Sequence, residues 1–408
     1  MTAITAHLVA ALALIALSST SQAQAQPQPQ VSLPQYSMTL LSGLNDPPAG
    51  PLPPGQFSPL SWWTKGMNNS GQVIGTTQDL RFPSTVATLW VNGNPKSFGR
   101  FSDLSGSAYS NSTGVAINDA GTIVVQVSGM AGGFSEGAIV MLRNGEQTIV
   151  GDGGASSISN SGVVGGSAKG RATLWSNANA VDLGTAGGSS SWVSALNNTG
   201  LSVGGSTPTG DPKYQCMPSP GGAPCFVTHA MIWRAPGEFI ELGTMGGVSS
   251  RATAVNDSGR VIGTIGYTEG RPEHSFVWDG TSMLDMGEVT LSAINNLGVM
   301  VGSTGRRYFN DSKAAIWTDG QSVDLNTLLT ADASQLGWRL VHASAINDAG
   351  QILVQAQNNA IGSGYIVLTP VPEPASLALL CSGLVVVALF RRRQPLEPGR
   401  AGRLTAFS

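Results

Sequence analysis

An apolar residue, an asparagine, two variable positions and a glycine recur seven times along this chain, and that pattern constrains its fold more than any other feature. The copies are Met67-Asn-Asn-Ser-Gly71, Ile117-Asn-Asp-Ala-Gly121, Ile158-Ser-Asn-Ser-Gly162, Leu196-Asn-Asn-Thr-Gly200, Val255-Asn-Asp-Ser-Gly259, Ile294-Asn-Asn-Leu-Gly298 and Ile346-Asn-Asp-Ala-Gly350. The recurring turn residues are therefore Asn68 and Gly71, Asn118 and Gly121, Gly162 (Ser159 replaces its asparagine), Asn197 and Gly200, Asn256 and Gly259, Asn295 and Gly298, and Asn347 and Gly350. Asn and Asp side chains accept hydrogen bonds from backbone a residue or two ahead, and Gly takes positive φ without a Cβ clash. A β-branched run ending at or near glycine follows, as in Val73-Ile-Gly75 and Val261-Ile-Gly263. The pattern predicts hairpins with loops of three to four residues.

Two further landmarks complete the unit. One is a strand ending in tryptophan: Ala-Thr-Leu-Trp90, Ala-Thr-Leu-Trp175, His-Ala-Met-Ile-Trp233, His-Ser-Phe-Val-Trp278 and Ala-Ala-Ile-Trp317, with Ile139-Val-Met-Leu142 as a degenerate copy. The other is an acidic strand end: Val181-Asp-Leu-Gly184, Glu241-Leu-Gly243, Leu284-Asp-Met-Gly287 and Val323-Asp-Leu-Asn326. The turn glycines fall 50, 41, 38, 59, 39 and 52 residues apart. Four strands at that period is the rhythm of a β-propeller blade. The seventh unit lacks its acidic strand, and Tyr36-Ser-Met-Thr-Leu-Leu41 lies unassigned before the first turn. Pairing it beside Tyr365 to Leu368 would close a seven-bladed ring and remove its exposed edges. A β-solenoid is the alternative.

Composition agrees with an all-β domain. Glycine is abundant (53 residues) and charged residues make up only 11%, too few for long surface helices. A net charge of −3 gives no electrostatic footprint for nucleic acid.

The chain ends read as addresses. Leu8 to Leu17 is apolar, and small-x-small patterns ending at Ala23 and Ala25 follow it, so residues 1–25 are expected to be a removed secretory signal. Residues 26–35 form a Gln/Pro spacer, and residues 36–370 carry the repeats. At the other end Val371, Pro372, Glu373 and Pro374 precede an uncharged stretch from Ala375 to Phe390, then Arg391, Arg392 and Arg393. The prolines favour an extended segment that an enzyme can grip. The uncharged stretch would span roughly 24 Å as a helix, with the arginines held at the cytoplasmic interface. This arrangement over residues 371–393 resembles the PEP-CTERM sorting signal of Gram-negative bacteria. The resemblance implies an exported protein, anchored by a transmembrane helix and processed by an exosortase-type enzyme. Residues 394–408 would be a cytoplasmic tail.

The repeats themselves resemble the HAF repeats of predicted extracellular proteins, whose His-Ala-Phe precedes the Leu-Trp; His229-Ala-Met and His274-Ser-Phe keep the histidine. That resemblance implies a surface or matrix protein and brings no catalytic residues with it.

Site candidates are few. Cys216 and Cys225, in a Pro/Gly-rich loop of an exported chain, are candidates for a disulfide, with metal binding as a poorer rival. Cys381 falls in the sorting helix. The repeated tryptophans read as packing between blades, while Trp62, Trp63 and Trp192 stand where they could reach a face of the ring. Asp182, Asp285 and Asp324 read as partners of turn backbone. No G-x-S-x-G, H-E-x-x-H, P-loop or D-x-D-x-D calcium loop occurs. The expectation is a non-enzymatic binding or structural propeller needing no cofactor and no metal, with exopolysaccharide as its partner. The alternative is a secreted polysaccharide hydrolase or lyase, which would need two carboxylates facing one another.

Overall fold

The computed structural model describes residues 33–43, 66–79, 84–99, 101, 111–128, 137–209, 227–267, 272–305, 311–318, 320–360 and 362–372. Their strands form seven four-stranded antiparallel sheets, the blades of a β-propeller. Because the strands fall into separate sheets, not one continuous coil, the solenoid alternative is excluded.

The fifth blade shows how sequence becomes structure. Its strands are Ser249–Val255, Val261–Gly266, His274–Trp278 and Met283–Asp285, hydrogen-bonded in chain order. The turn between the first two closes through Asn256 N–H to Arg260 O (3.1 Å) and Gly259 N–H to Asn256 O (3.0 Å). The second strand is apolar at successive positions, without alternation, because a neighbouring blade packs on each of its faces; Val261 and Ile262 are fully buried. The first strand slips register between Ala252 and Ala254, opposite Gly263. A Cβ on Gly263 would stand 2.3 Å from Arg251 O and 2.4 Å from the Phe276 ring, so a side chain is sterically excluded there. The glycine after the β-branched run thus serves a bulge.

Apolar clusters bridge adjacent blades, and each repeated tryptophan belongs to one. Trp175 of the third blade packs with Val124 and Ile139 of the second. Trp233 of the fourth packs with Ala172 and Leu183 of the third. Trp278 and Trp317 continue the series. Leu142 and Leu368 occupy the tryptophan register in the second and seventh blades, paired with Ile123 and Ile352.

The seventh blade is completed from both chain ends. Its sheet order places Gln35–Leu40 beside Gly362–Val371, then Ile352–Asn358 and Arg339–Ile346, in a register running from Gln35 opposite Val371 to Leu40 opposite Ile366. Tyr36 is buried in this seam. Ser42 then accepts a 2.7 Å hydrogen bond from Trp90 Nε1 of the first blade, fastening the closing strand to both neighbours. One element has no counterpart in the repeat. Where the third, fourth and fifth blades end in Asp-Leu-Gly, Glu-Leu-Gly and Asp-Met-Gly, the sixth has Asp324-Leu-Asn326 and turns into a 3-10 helix, Leu325–Leu328, and an α-helix, Ala331–Gln335. Asp324 and Thr330 cap them, and Thr330 N–H donates to Tyr36 O (3.0 Å), so this excursion braces the closing strand.

Candidate functional site at the axis

The first strand of every blade ends at its asparagine turn, and all seven turns meet at one end of the propeller axis around a cavity of about 160 Å³. The turn asparagine works in two directions. Asn256 Oδ1 accepts from Arg260 N–H (2.9 Å) and Ser258 Oγ–H (2.7 Å) in its own turn. Its Nδ2 donates to Asn295 O of the next blade (3.1 Å). The same step runs from Asn68 to Asn118, Asn118 to Ser159, Asn197 to Asn256, Asn295 to Asn347 and Asn347 back to Asn68. Ser159 has no amide to pass to Asn197, and the belt is interrupted there.

The next residue builds a second belt that the sequence reading missed. In all seven turns it is Asn or Asp: Asn69, Asp119, Asn160, Asn198, Asp257, Asn296 and Asp348. Each backbone N–H donates to the side-chain Oδ1 of its counterpart in the next blade, at 2.7 to 3.0 Å, all the way round. Amide and carboxylate alternate, so Asn69, Asn160, Asn198 and Asn296 donate to Asp119, Asp257 and Asp348. Seven is odd and strict alternation cannot close, so one pair of like residues is unavoidable. That pair is Asn160 and Asn198, at the same junction where Ser159 interrupts the first belt. The fourth turn is also the distorted one: Gly200 sits at φ 100°, whereas its six counterparts lie between 74° and 87°.

The three carboxylates converge. Asp257 and Asp348 share the amide of Asn296 (3.0 and 2.9 Å), so they lie within about two hydrogen-bond lengths, some 6 Å, of each other. Each carboxylate is an acceptor only, taking one backbone N–H and two side-chain amides. Their hydrogen-bond partners among the described residues are the backbone and side-chain amides of the ring itself. The arrangement joins the blades.

On the outer strands a basic residue four before the tryptophan pairs with the acidic strand end: Arg171 with Asp182, His229 with Glu241, His274 with Asp285 (2.9 Å) and Lys313 with Asp324 (3.5 Å). The same aspartates accept backbone N–H groups, Gly184 to Asp182, Gly287 to Asp285 and Asn326 to Asp324. Partial burial alone would raise the Asp182 and Asp285 carboxyls. The glycine N–H and the basic neighbour outweigh it, and both lie below the usual range. Trp192 is half-buried over Gly205, where a Cβ would stand 2.5 Å from the indole. Ala23, Ala25, Trp62, Trp63, Cys216, Cys225, Glu373, Pro374, Cys381, Arg391, Arg392 and Arg393 lie outside the described residues. So does the expected transmembrane helix; among the described residues no helix is long and apolar enough to cross a membrane. Among them also, no group of three or more His, Cys, Asp or Glu side chains is placed to hold a metal.

Seven blades of four antiparallel strands, closed by both chain ends, define a β-propeller. A family model described as the PEP-CTERM protein-sorting motif matches residues 370–393, beginning inside the last strand. That motif implies export, membrane anchoring in a Gram-negative bacterium and processing by an exosortase-type enzyme. No curated protein matches the chain. Among solved structures it is similar to TolB from Acinetobacter baumannii, at 12% identity and a TM-score of 0.38, over 74% of this chain and 64% of that one. It is also similar to Trypanosoma rangeli sialidase in complex with 2,3-difluoro-KDN, at 12% identity and a TM-score of 0.35, over 81% of this chain and 55% of that one. The chain thus spans less than two thirds of either protein.

Proposed function

We propose that this is a cell-surface or extracellular-matrix protein, exported by a Sec-type signal over residues 1–25, whose HAF-type propeller acts as a non-enzymatic binding or structural module associated with exopolysaccharide. The observation that carries the reading is the junction at the C-terminus. The sorting motif begins at Pro370, which is still paired to Tyr36 in the last blade, so the address and the propeller are one continuous piece. The basic–acidic pairs, whose basic member lies four residues before Trp175, Trp233, Trp278 and Trp317, support the HAF assignment, because they give its histidine a structural partner. The axial carboxylates each accept three hydrogen bonds within the ring, which supports a structural role for them; Asp257 and Asp348, about 6 Å apart, are the pair that the alternative hydrolase or lyase would use.

The test uses purified residues 34–372 and the polysaccharide of the producing strain. Co-sedimentation without release of reducing ends is expected. Release of new reducing or unsaturated ends, abolished by Asp257→Asn or Asp348→Asn, would replace the binding reading with a hydrolase or lyase.

A further inference from the structure

The last strand, Gly362–Val371, runs toward the asparagine turns. Leu368 pairs with Ile352, two residues beyond the turn glycine Gly350, and Gln351 Nε2 donates to Thr369 Oγ1 at 3.2 Å. Pro370 and Val371 continue past that point, still paired with Tyr36 and Gln35. The chain therefore leaves the propeller on the turn face, held in the sheet up to its exit. Gln35 stands at the same level.

Only Pro372, Glu373 and Pro374 separate the sheet from the uncharged stretch that begins at Ala375. At 3.3–3.6 Å per residue, three residues reach no more than about 11 Å. The headgroup layer on one side of a bilayer takes up roughly 5–8 Å of that. The remainder is too short to hold the turn face clear of the membrane.

The two faces of the ring are also unlike. Among the described residues the turn face has only tight connections, such as Asn92–Gly93 and Asn144–Gly145, both at positive φ. The opposite face carries the long connections, among them the one between Pro208 and His229. Leu297 occupies the position held elsewhere by Ser70, Ala120, Ser161, Thr199, Ser258 and Ala349, all small or polar, and is 75% exposed, the most exposed large apolar side chain among those described.

We infer that while the sorting segment anchors the chain, the turn face with its axial ring lies against the lipid headgroups, and the opposite face is the surface offered to partners. Cleavage then frees the turn face. The inference rests on the membrane-anchoring reading of the motif.

The test keeps the full chain in a host without an exosortase. A photoreactive amino acid replaces Ser70 or Ala120 on the turn face, or Ser128 or Glu273 on the other; all four are exposed. Phospholipid adducts are expected at positions 70 and 120 at several-fold the yield at 128 and 273. They should fall to the level of 128 and 273 when a flexible Gly/Ser spacer of about 20 residues, with a root-mean-square span near 25 Å, follows Pro374. Equal yields on both faces of a membrane-held chain would overturn the inference and leave anchoring intact. A full-length chain absent from the membrane fraction would overturn both.

Discussion

Ser159 is where one residue type decides the strength of a whole junction. At the six other turns a buried asparagine links its own hairpin to the next blade. Asn256→Ala removes two acceptor contacts and one donor from a site 3% exposed, leaving Asn295 O and Arg260 N–H without those partners. A loss of about 2–4 kcal/mol is expected, read as a lower urea midpoint. Ser159→Asn should act the other way and gain about 1 kcal/mol by restoring the donor to Asn197 O. If it were neutral or destabilising, the belt would not be what couples the blades. Asp279 offers a second residue-level check. Ser282 N–H, Thr281 N–H and the Thr281 hydroxyl bind its exposed carboxyl and lower its pKa to about 2. A depressed carboxyl contributes above its ordinary value near 3.8, and that contribution fades as pH falls toward 2. An NMR titration with a midpoint near 4 would contradict the turn geometry. The half of the turn that was legible in sequence is the local half, Asn for the acceptor and Gly for φ. The belt between blades escapes a local reading, although the third position is Asn or Asp in every copy. Its partners lie 38 to 59 residues away, and 279 across the closing seam, beyond any local pattern.

Among the elements, the tryptophan strands and the closing strand carry most of the seams. Trp90 and Trp233 occupy equivalent buried positions but differ at nitrogen. Trp90 Nε1 donates to Ser42 O, whereas Trp233 Nε1 has no partner among the described residues. Trp90→Phe should therefore cost about 1–2 kcal/mol more than Trp233→Phe in paired denaturation curves. Equal costs would mean that the Ser42 contact does not hold the closing strand. Burial raises the Tyr36 phenol from 10.0 to about 12. Its protonated form is the one the fold favours, so its contribution is complete below pH 10 and is lost as pH rises toward 12. Tyr36→Phe should remove that alkaline loss, followed by tyrosinate absorbance and unfolding together. The closing strand was legible because a unit lacked a strand at one terminus and the other terminus supplied an unassigned one. The helix Ala331–Gln335 was not. It is five residues long, and its local signals, a Thr330 cap, Asp332 in the first turn and Asn326 in place of glycine, are too few to mark a helix within a strand repeat.

For the whole molecule, the fold was readable because seven weak units reinforce one another, whereas nothing in a single unit specifies a ligand. Sheet pairing ends at Val371, so a chain cut after Pro372 should melt at the same temperature as the full-length protein. One ending at Gly364 loses Tyr365 to Leu368, the docking site of the closing strand, and should lose cooperative unfolding. The central claim, an exported propeller delivered by its own last strand to a sorting enzyme, is tested most directly by terminal-peptide and intact-mass spectrometry of the native protein from membrane and extracellular fractions. The account predicts an extracellular form that starts near Gln24 or Gln26 and ends close to Pro374. A form that keeps Leu377 to Arg393 and remains with the membrane would contradict it.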